Sequence, residues 1–295
     1  KVEASKSADS KFKSIFRKEI KWLKQGPKAR SSKQKARIKR IEEMRSNNSK
    51  AIKANLVISN KTTRLGKIVI DVDNLSITSN AKEDGKPLVK NFNYQFSPED
   101  RVGIIGPNGI GKSTLLDVLA GAKNPTLGNI KIGETVKIGY LEQSSKFLSE
   151  GKVLNTKVID FIEEVATRVK LNKKEITSSQ LLEKFLFSPS QQHSLINKLS
   201  GGELRRLTLC RILIKSPNVL LLDEPTNDLD IDTLIILEEF LYNFKGCVII
   251  VSHDRYFLDK TVNRIFNFEE GYSLKQYEGN YTDFIDKFKS NEIIN

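Results

Sequence analysis

The sequence predicts an α/β protein with a basic two-helix arm in front of it, on three observations. From residue 66 onward, short runs rich in β-branched residues alternate with helical stretches, as buried strands joined by crossover helices do. A glycine-rich turn, "GPNGIGKST" (Gly106–Thr114), joins one of these runs to a helix. Ahead of them, Phe12, Ile15, Phe16, Ile20 and Leu23 fall at offsets of 0, 3, 4, 8 and 11, the stripe of an amphipathic helix.

The arm comes first along the chain. Gly26-Pro27 stops the opening helix, and a second helical stretch runs from about Lys28 to Ala54, with Ile38, Ile41 and Met44 as a thinner stripe. Two helices joined by so short a loop predict an antiparallel hairpin. The expected division is an arm over residues 1–55 and a body over 56–295. Residues 1–55 hold 18 Lys and Arg against five Asp and Glu, and the other 240 residues hold 31 of each, so the whole net charge of +13 sits in the arm. Lys21–Arg40 carries nine Lys and Arg and no acidic residue. A solvated helix face usually mixes its charges. One-signed charge gathered at a loop fits a polyanion, bound with an affinity that falls as salt rises. Lys21, Lys24, Lys28, Arg30, Lys33, Lys35 and Arg37 are the candidate nucleic-acid contacts, and Trp22 and Arg30 are placed to stack on exposed bases. Charge alone does not separate RNA from DNA.

In the body, "KIVIDV" (Lys67–Val72), "RVGIIG" (Arg101–Gly106), "VLLLD" (Val219–Asp223) and "CVIIVS" (Cys247–Ser252) read as buried parallel strands. Residues 150–198 are more polar and helical in pattern, an expected helical insertion, and no internal repeat is visible. With 38 % apolar and 8 % aromatic residues, the chain buries a core rather than staying disordered. Cys210 and Cys247 lie in apolar runs without metal-ligand spacing and read as core thiols of a reducing compartment. No apolar run approaches the roughly 18–20 residues that span a bilayer. With no signal peptide in sight, a cytoplasmic protein without membrane insertion is expected.

The chemistry concentrates in three places. Gly106, Pro107, Asn108, Gly109, Gly111, Lys112, Ser113 and Thr114 fit G-x-x-x-x-G-K-[ST] between a strand and a helix. There the glycines turn backbone N–H groups toward phosphate oxygens, Lys112 reaches the β- and γ-phosphates, and Ser113 ligates Mg²⁺. "VLLLDEP" (Val219–Pro225) ends a strand in Asp223, a metal carboxylate, and Glu224, placed to deprotonate an attacking water. "LSGGE" (Leu199–Glu203) opens a helix, so Ser200, Gly201 and Gly202 form a second phosphate-facing turn. One nucleotide does not need both turns.

These motifs, followed in order through Gln143 in "GYLEQ", "VLLLDEPTNDLD" and "VSHDRYFLD" with His253, resemble the motif set of ABC ATPases. The resemblance implies a mixed sheet core, an antiparallel β part, a helical subdomain at about 150–215, and Mg²⁺-dependent ATP hydrolysis. It implies that Gln143 is the Q-loop residue sensing Mg²⁺ and γ-phosphate, that Asn227–Asp230 is the D-loop, and that His253 contacts the γ-phosphate. "RKEIKWLKQGPKARSSKQKARI" (Arg17–Ile38) is similar to the inter-cassette linker of the ABC-F family, whose helical hairpin reaches the tRNA exit region of the ribosome. "FLFSP" (Phe185–Pro189), "TNDLDIDTLIILEE" (Thr226–Glu239) and "YEGNYTDF" (Tyr277–Phe284) resemble its Uup-type branch.

The resemblance covers nearly the whole chain and implies the later part of the linker plus a second cassette. The resemblance implies a first cassette before Lys1 and a coiled coil after Asn295, and the opening "KVEAS" without Met fits an excised piece. ABC cassettes pair head to tail, so the partner is a second cassette, either the missing half or another copy. One position departs from the pattern. The stretch Asn74–Lys86 offers no aromatic residue for adenine, and Ile77 stands near the expected place, which leaves GTP open beside ATP. Translation through ribosomal RNA or tRNA is the leading reading. A DNA-associated ATPase and the motor subunit of a membrane transporter are the alternatives, and a transporter motor has no use for the basic arm.

Overall fold

The computed structural model describes residues 65–80, 82, 84–143, 151–171 and 174–292, all within the unit 57–295 into which the chain divides. The predicted arm, with Lys21, Trp22, Lys24, Lys28, Arg30, Lys33, Lys35 and Arg37, lies outside the described residues.

The first elements are β1 (Ile70–Thr78), β2 (Pro87–Phe96), β3 (Arg101–Ile105), α1 (Lys112–Leu119), β4 (Leu127–Ile132) and β5 (Ile138–Leu141). Next come α2 (Gly151–Leu154), α3 (Val158–Glu163), β6 (Arg168–Leu171), β7 (Lys174–Thr177), α4 (Ser178–Lys184), α5 (Pro189–Gln192) and α6 (Gly201–Ile214). The last part holds β8 (Val219–Asp223), α7 (Ile231–Asn243), β9 (Cys247–Val251), α8 (Arg255–Thr261), β10 (Arg264–Phe268), β11 (Leu274–Glu278) and α9 (Tyr281–Glu292).

The central sheet runs β11-β10-β3-β9-β8-β5. Every neighbouring pair is parallel except β10 with β11. All residues of β8 and β9 are buried, which is why those runs are continuously apolar. Because β3, β5, β8 and β9 are parallel, their carboxyl ends share one edge of the sheet, where ligands bind in such folds.

A second sheet, β2-β1-β4, is antiparallel. The run Lys67–Val72 therefore does not join the parallel set: Ile70 faces Phe96 on β2 and Ile132 on β4. The physical reason lies in its alternation. Ile70 and Val72 are buried while Asp71 and Asp73 are not, the period-two pattern of a strand with one wet face. This sheet is fastened to the central one by a cluster of Phe92, Tyr94, Phe96 and Phe266, with the Tyr94 and Phe266 rings edge to face at 4.9 Å. Tyr94 also donates from its hydroxyl to Asp100 (3.1 Å) and accepts from Arg264.

Between β5 and β8 lies the part read as a helical insertion, and it holds a short hairpin beside its helices. Short helices α2–α5 are interrupted by the antiparallel β6–β7 hairpin. Thr177 and Ser188 start α4 and α5 with reciprocal side-chain caps to Gln180 and Gln191. Cys210 and Cys247 are buried free thiols, and burial pushes both well above the usual thiol range, so they are core residues. Among the described residues no helix is long and apolar enough to cross a membrane.

Candidate functional site

The shared edge of the central sheet holds a cleft of about 570 Å³. β3 leads into the glycine turn, and the turn into α1. Gly111 caps α1 with φ of 117°, and a Cβ there would stand 2.8 Å from that of Leu88. Only glycine meets both demands. Asn108, Gly109, Gly111, Lys112, Ser113 and Thr114 line the cleft. Gly106 and Pro107 stand behind them, their carbonyls accepting from Lys112 Nζ at 2.8 and 2.9 Å. Burial lowers the Lys112 pKa, and the Glu224 and Asp223 carboxylates work against that shift.

β8 delivers Asp223 and Glu224 to the same cleft, β9 delivers His253, and the end of β5 delivers Gln143. Asp223 is buried, which raises its pKa, while a hydrogen bond with Ser113 and the charges of Arg205 and Lys112 hold the shift back. Its Oδ1 is buried without a hydrogen-bond partner among the described residues. A buried carboxylate oxygen in that condition beside a hydroxyl fits a hard divalent cation. Glu224 adopts φ of 45°, its N–H donating to the Val251 carbonyl at 2.9 Å. Its Oε1 lies 3.5 Å from His253 Nε2. Burial first, then the Lys112 charge, lowers the His253 pKa, so the imidazole is neutral near pH 7.

Ser200, Gly201 and Gly202 do not line this cleft. Ser200 caps α6 reciprocally with Glu203, its hydroxyl and N–H both donating to Oε2 at 2.8 Å. A Cβ on Gly201 would meet nothing within 4 Å, whereas one on Gly202 would fall 2.6 Å from the Asp228 carbonyl. The turn thus packs its second glycine against the D-loop and leaves its first one open.

Ile77 is buried in the core opposite Val89, so it does not face a nucleobase. The alternation of β1 turns it inward with Leu75, and Ser79 and Leu88 line the cleft instead. Leu88 came from β2, on which the sequence pattern placed no site residue. Arg205 was also missed: its guanidinium holds backbone carbonyls at the Gln143 and Glu224 ends of the cleft. Its signal is a cationic pair, Arg205-Arg206, set between the apolar residues Leu204 and Leu207 of the helix.

Residues 89–227 match the family model described as "ABC transporter". Over 283 residues the chain is 47 % identical to the "Uncharacterized ABC transporter ATP-binding protein YfmR" of Bacillus subtilis (strain 168), covering 96 % of this chain and 44 % of that protein. It is 38 % identical over 284 residues to the "Energy-dependent translational throttle protein EttA" of Escherichia coli (strain K12), covering 96 % and 49 %. The chain thus spans about half the length of the curated relatives it matches. Among solved structures, the ATP-binding cassette MJ0796 superposes with a TM-score of 0.56 at 20 % identity, over 71 % of this chain and 98 % of that one, a likeness of fold. The chain belongs to the ABC ATPases, as an ATP-binding cassette of the ABC-F family.

Proposed function

We propose that this cassette binds Mg²⁺-ATP in the cleft and hydrolyses it to ADP and phosphate, as the engine of a protein that acts on the ribosome. One observation carries the first half: four parallel strand ends bring Lys112, Ser113, Gln143, Asp223, Glu224 and His253 to a single cleft. In this reading the turn Gly106–Thr114 and the start of α1 hold the phosphates, with the Lys112 ammonium on the β- and γ-oxygens. Ser113, Asp223 and Gln143 would hold the metal. When bound, the metal supplies charge neutralisation on the transferring phosphoryl group.

Glu224 takes the proton of the attacking water as its oxygen bonds to the γ-phosphorus and the bond to ADP breaks. The Val251 carbonyl anchors the Glu224 backbone, and neutral His253 donates toward the γ-phosphate side. Ser200, Gly201 and Gly202, which stand away from their own cleft, serve the nucleotide of a second cassette. Phosphate release by the full-length gene product is expected to require both ATP and Mg²⁺. Release that continues unchanged in excess EDTA would overturn the metal assignment.

The second half rests on the charge of Lys21–Arg40 and on the likeness to EttA, whose name places it in translational control. Lys21, Lys24, Lys28, Arg30, Lys33, Lys35 and Arg37 meet phosphates, and Trp22 with Arg30 stacks on bases of ribosomal RNA or tRNA. ATP binding closes two cassettes, the arm docks, and hydrolysis releases it, all in the cytoplasm. DNA remains the second reading for the same charges.

A further inference from the structure

We propose that Arg205 is a positioning residue that clamps the Q-loop and the end of β8 to the helix beginning at Ser200. Gln143 and Glu224 are then set by where that helix stands. Arg205 lies one turn into α6 and is only 7 % exposed. One terminal nitrogen donates to the carbonyls of Glu142 and of Gln143 (3.3 Å). The other donates to the carbonyls of Asp223 (2.7 Å) and Glu224 (3.4 Å). A single rigid fork thereby holds two segments that the sequence keeps far apart. An ammonium on a flexible stem has no such spread of donors and reaches one side or the other.

The neighbouring arginine makes the contrast. Arg206 donates to Thr233 at 3.4 Å, lies 3.7 Å from Asp230, and sits over the Phe187 ring at 4.6 Å. It fastens α6 to α7 and to the helical part, away from the cleft. Arg205 alone of the two faces the reacting end. Its charge is offset by Asp223, Asp228 and Glu224, so the cation is provided for within the site. The close approach of Gly202 to the Asp228 carbonyl locks the first turn of α6 to the same region.

The inference rests on the hydrolytic reading above, in which Ser200–Gly202 meets the nucleotide of another cassette. Arg205 then transmits the position of that contact to the metal-side glutamine and to the general base. A stop at the start of α6 becomes a stop in the cleft.

The test uses Arg205→Lys in the full-length gene product, beside wild type, Glu224→Gln, Gln143→Ala and the Arg205→Lys/Gln143→Ala double variant. The expected result is a kcat for phosphate release at least about tenfold lower in Arg205→Lys, with KM for ATP and the Kd of a fluorescent ATP analogue within about threefold. Its melting temperature should stay close to wild type, since the charge is kept. In the Arg205→Lys background Gln143→Ala should cost much less than it does alone, because both act on one arrangement. Wild-type kcat in a folded Arg205→Lys, or losses that multiply independently, would overturn the proposal. So would a loss that disappears once corrected for folded fraction. If Arg205→Lys does not fold, Arg205→Gln is measured by the same criteria, and failure of both to fold makes Arg205 a folding residue, which also overturns it. Failure of the hydrolytic reading looks different: wild type releases no phosphate, or Glu224→Gln releases as much as wild type.

Discussion

Glu224→Gln is expected to bind ATP with near-wild-type affinity while turnover falls at least about 100-fold, within the usual range for removing a positioned general base. The amide matches the carboxylate in shape, so the backbone at φ of 45° and the N–H bond to Val251 have no reason to change. Lys112 stays on the Gly106 and Pro107 carbonyls, and Asp223 keeps its hydrogen bond with Ser113. What goes is the capacity to take the proton of the attacking water. The measurement is single-turnover phosphate release beside equilibrium binding of the same nucleotide, with the equivalent glutamate of any second cassette also replaced. Unchanged turnover would remove Glu224 from the mechanism. Lost binding would mean that the side chain holds nucleotide or metal.

Lys112→Ala is expected to act on the other quantity. Its ammonium is buried at the mouth of the turn and held on the Gly106 and Pro107 carbonyls, so it is aimed by the loop that it serves. A hydrogen bond to a charged group contributes about 1.5–3 kcal/mol, roughly a 10- to 150-fold weaker Kd for ATP. The fold should survive, since the core around Leu115, Leu116 and Leu119 is untouched. Calorimetric titration with ATP, beside a thermal melt, checks both statements. Wild-type affinity in a folded Lys112→Ala would end the phosphate assignment of the turn.

Much of this site was legible because its chemistry is local in sequence. A glycine pattern that must turn around a phosphate fixes residues 106–114 without knowledge of the fold, and "VLLLDE" says at once that a buried strand ends in carboxylates. What was less legible depends on partners distant in the chain. The run Ile70–Asp73 alternates buried and wetter positions, yet its β-branched residues made it look like the fully buried strands. Its antiparallel pairing to β2 and β4 is a choice made by the tertiary fold. The same inward turn took Ile77 out of reach of a nucleobase and brought Leu88 to the cleft from the neighbouring strand. The β6–β7 hairpin is short enough for a polar helical pattern to hide it. Arg205 was readable only as a charge out of place, because its partners are main-chain carbonyls and carry no side-chain signature.

The proposal that Ser200–Gly202 serves a second cassette rests on two separate observations. A second phosphate turn was redundant in the sequence, and in the fold it stands off the cleft that would need it. Gly201 with open space around its Cβ position suits close approach by another molecule's phosphates, and Gly202 against Asp228 keeps that turn in register with the D-loop.

The measurement that bears most directly on the whole account is ribosome co-sedimentation of the full-length gene product. Glu224 is changed to Gln together with the equivalent glutamate of any second cassette, and pelleting is compared in ATP and in ADP, at two salt concentrations, beside a version lacking the Gly26-Pro27 tip and with duplex and single-stranded DNA as competitors. The account predicts pelleting in ATP and not in ADP, weaker at the higher salt, lost with the tip, and resistant to DNA. Pelleting in neither nucleotide, or pelleting that ignores the tip, would contradict the ribosomal role of Lys21–Arg40 and leave the cassette as an ATPase in need of another partner.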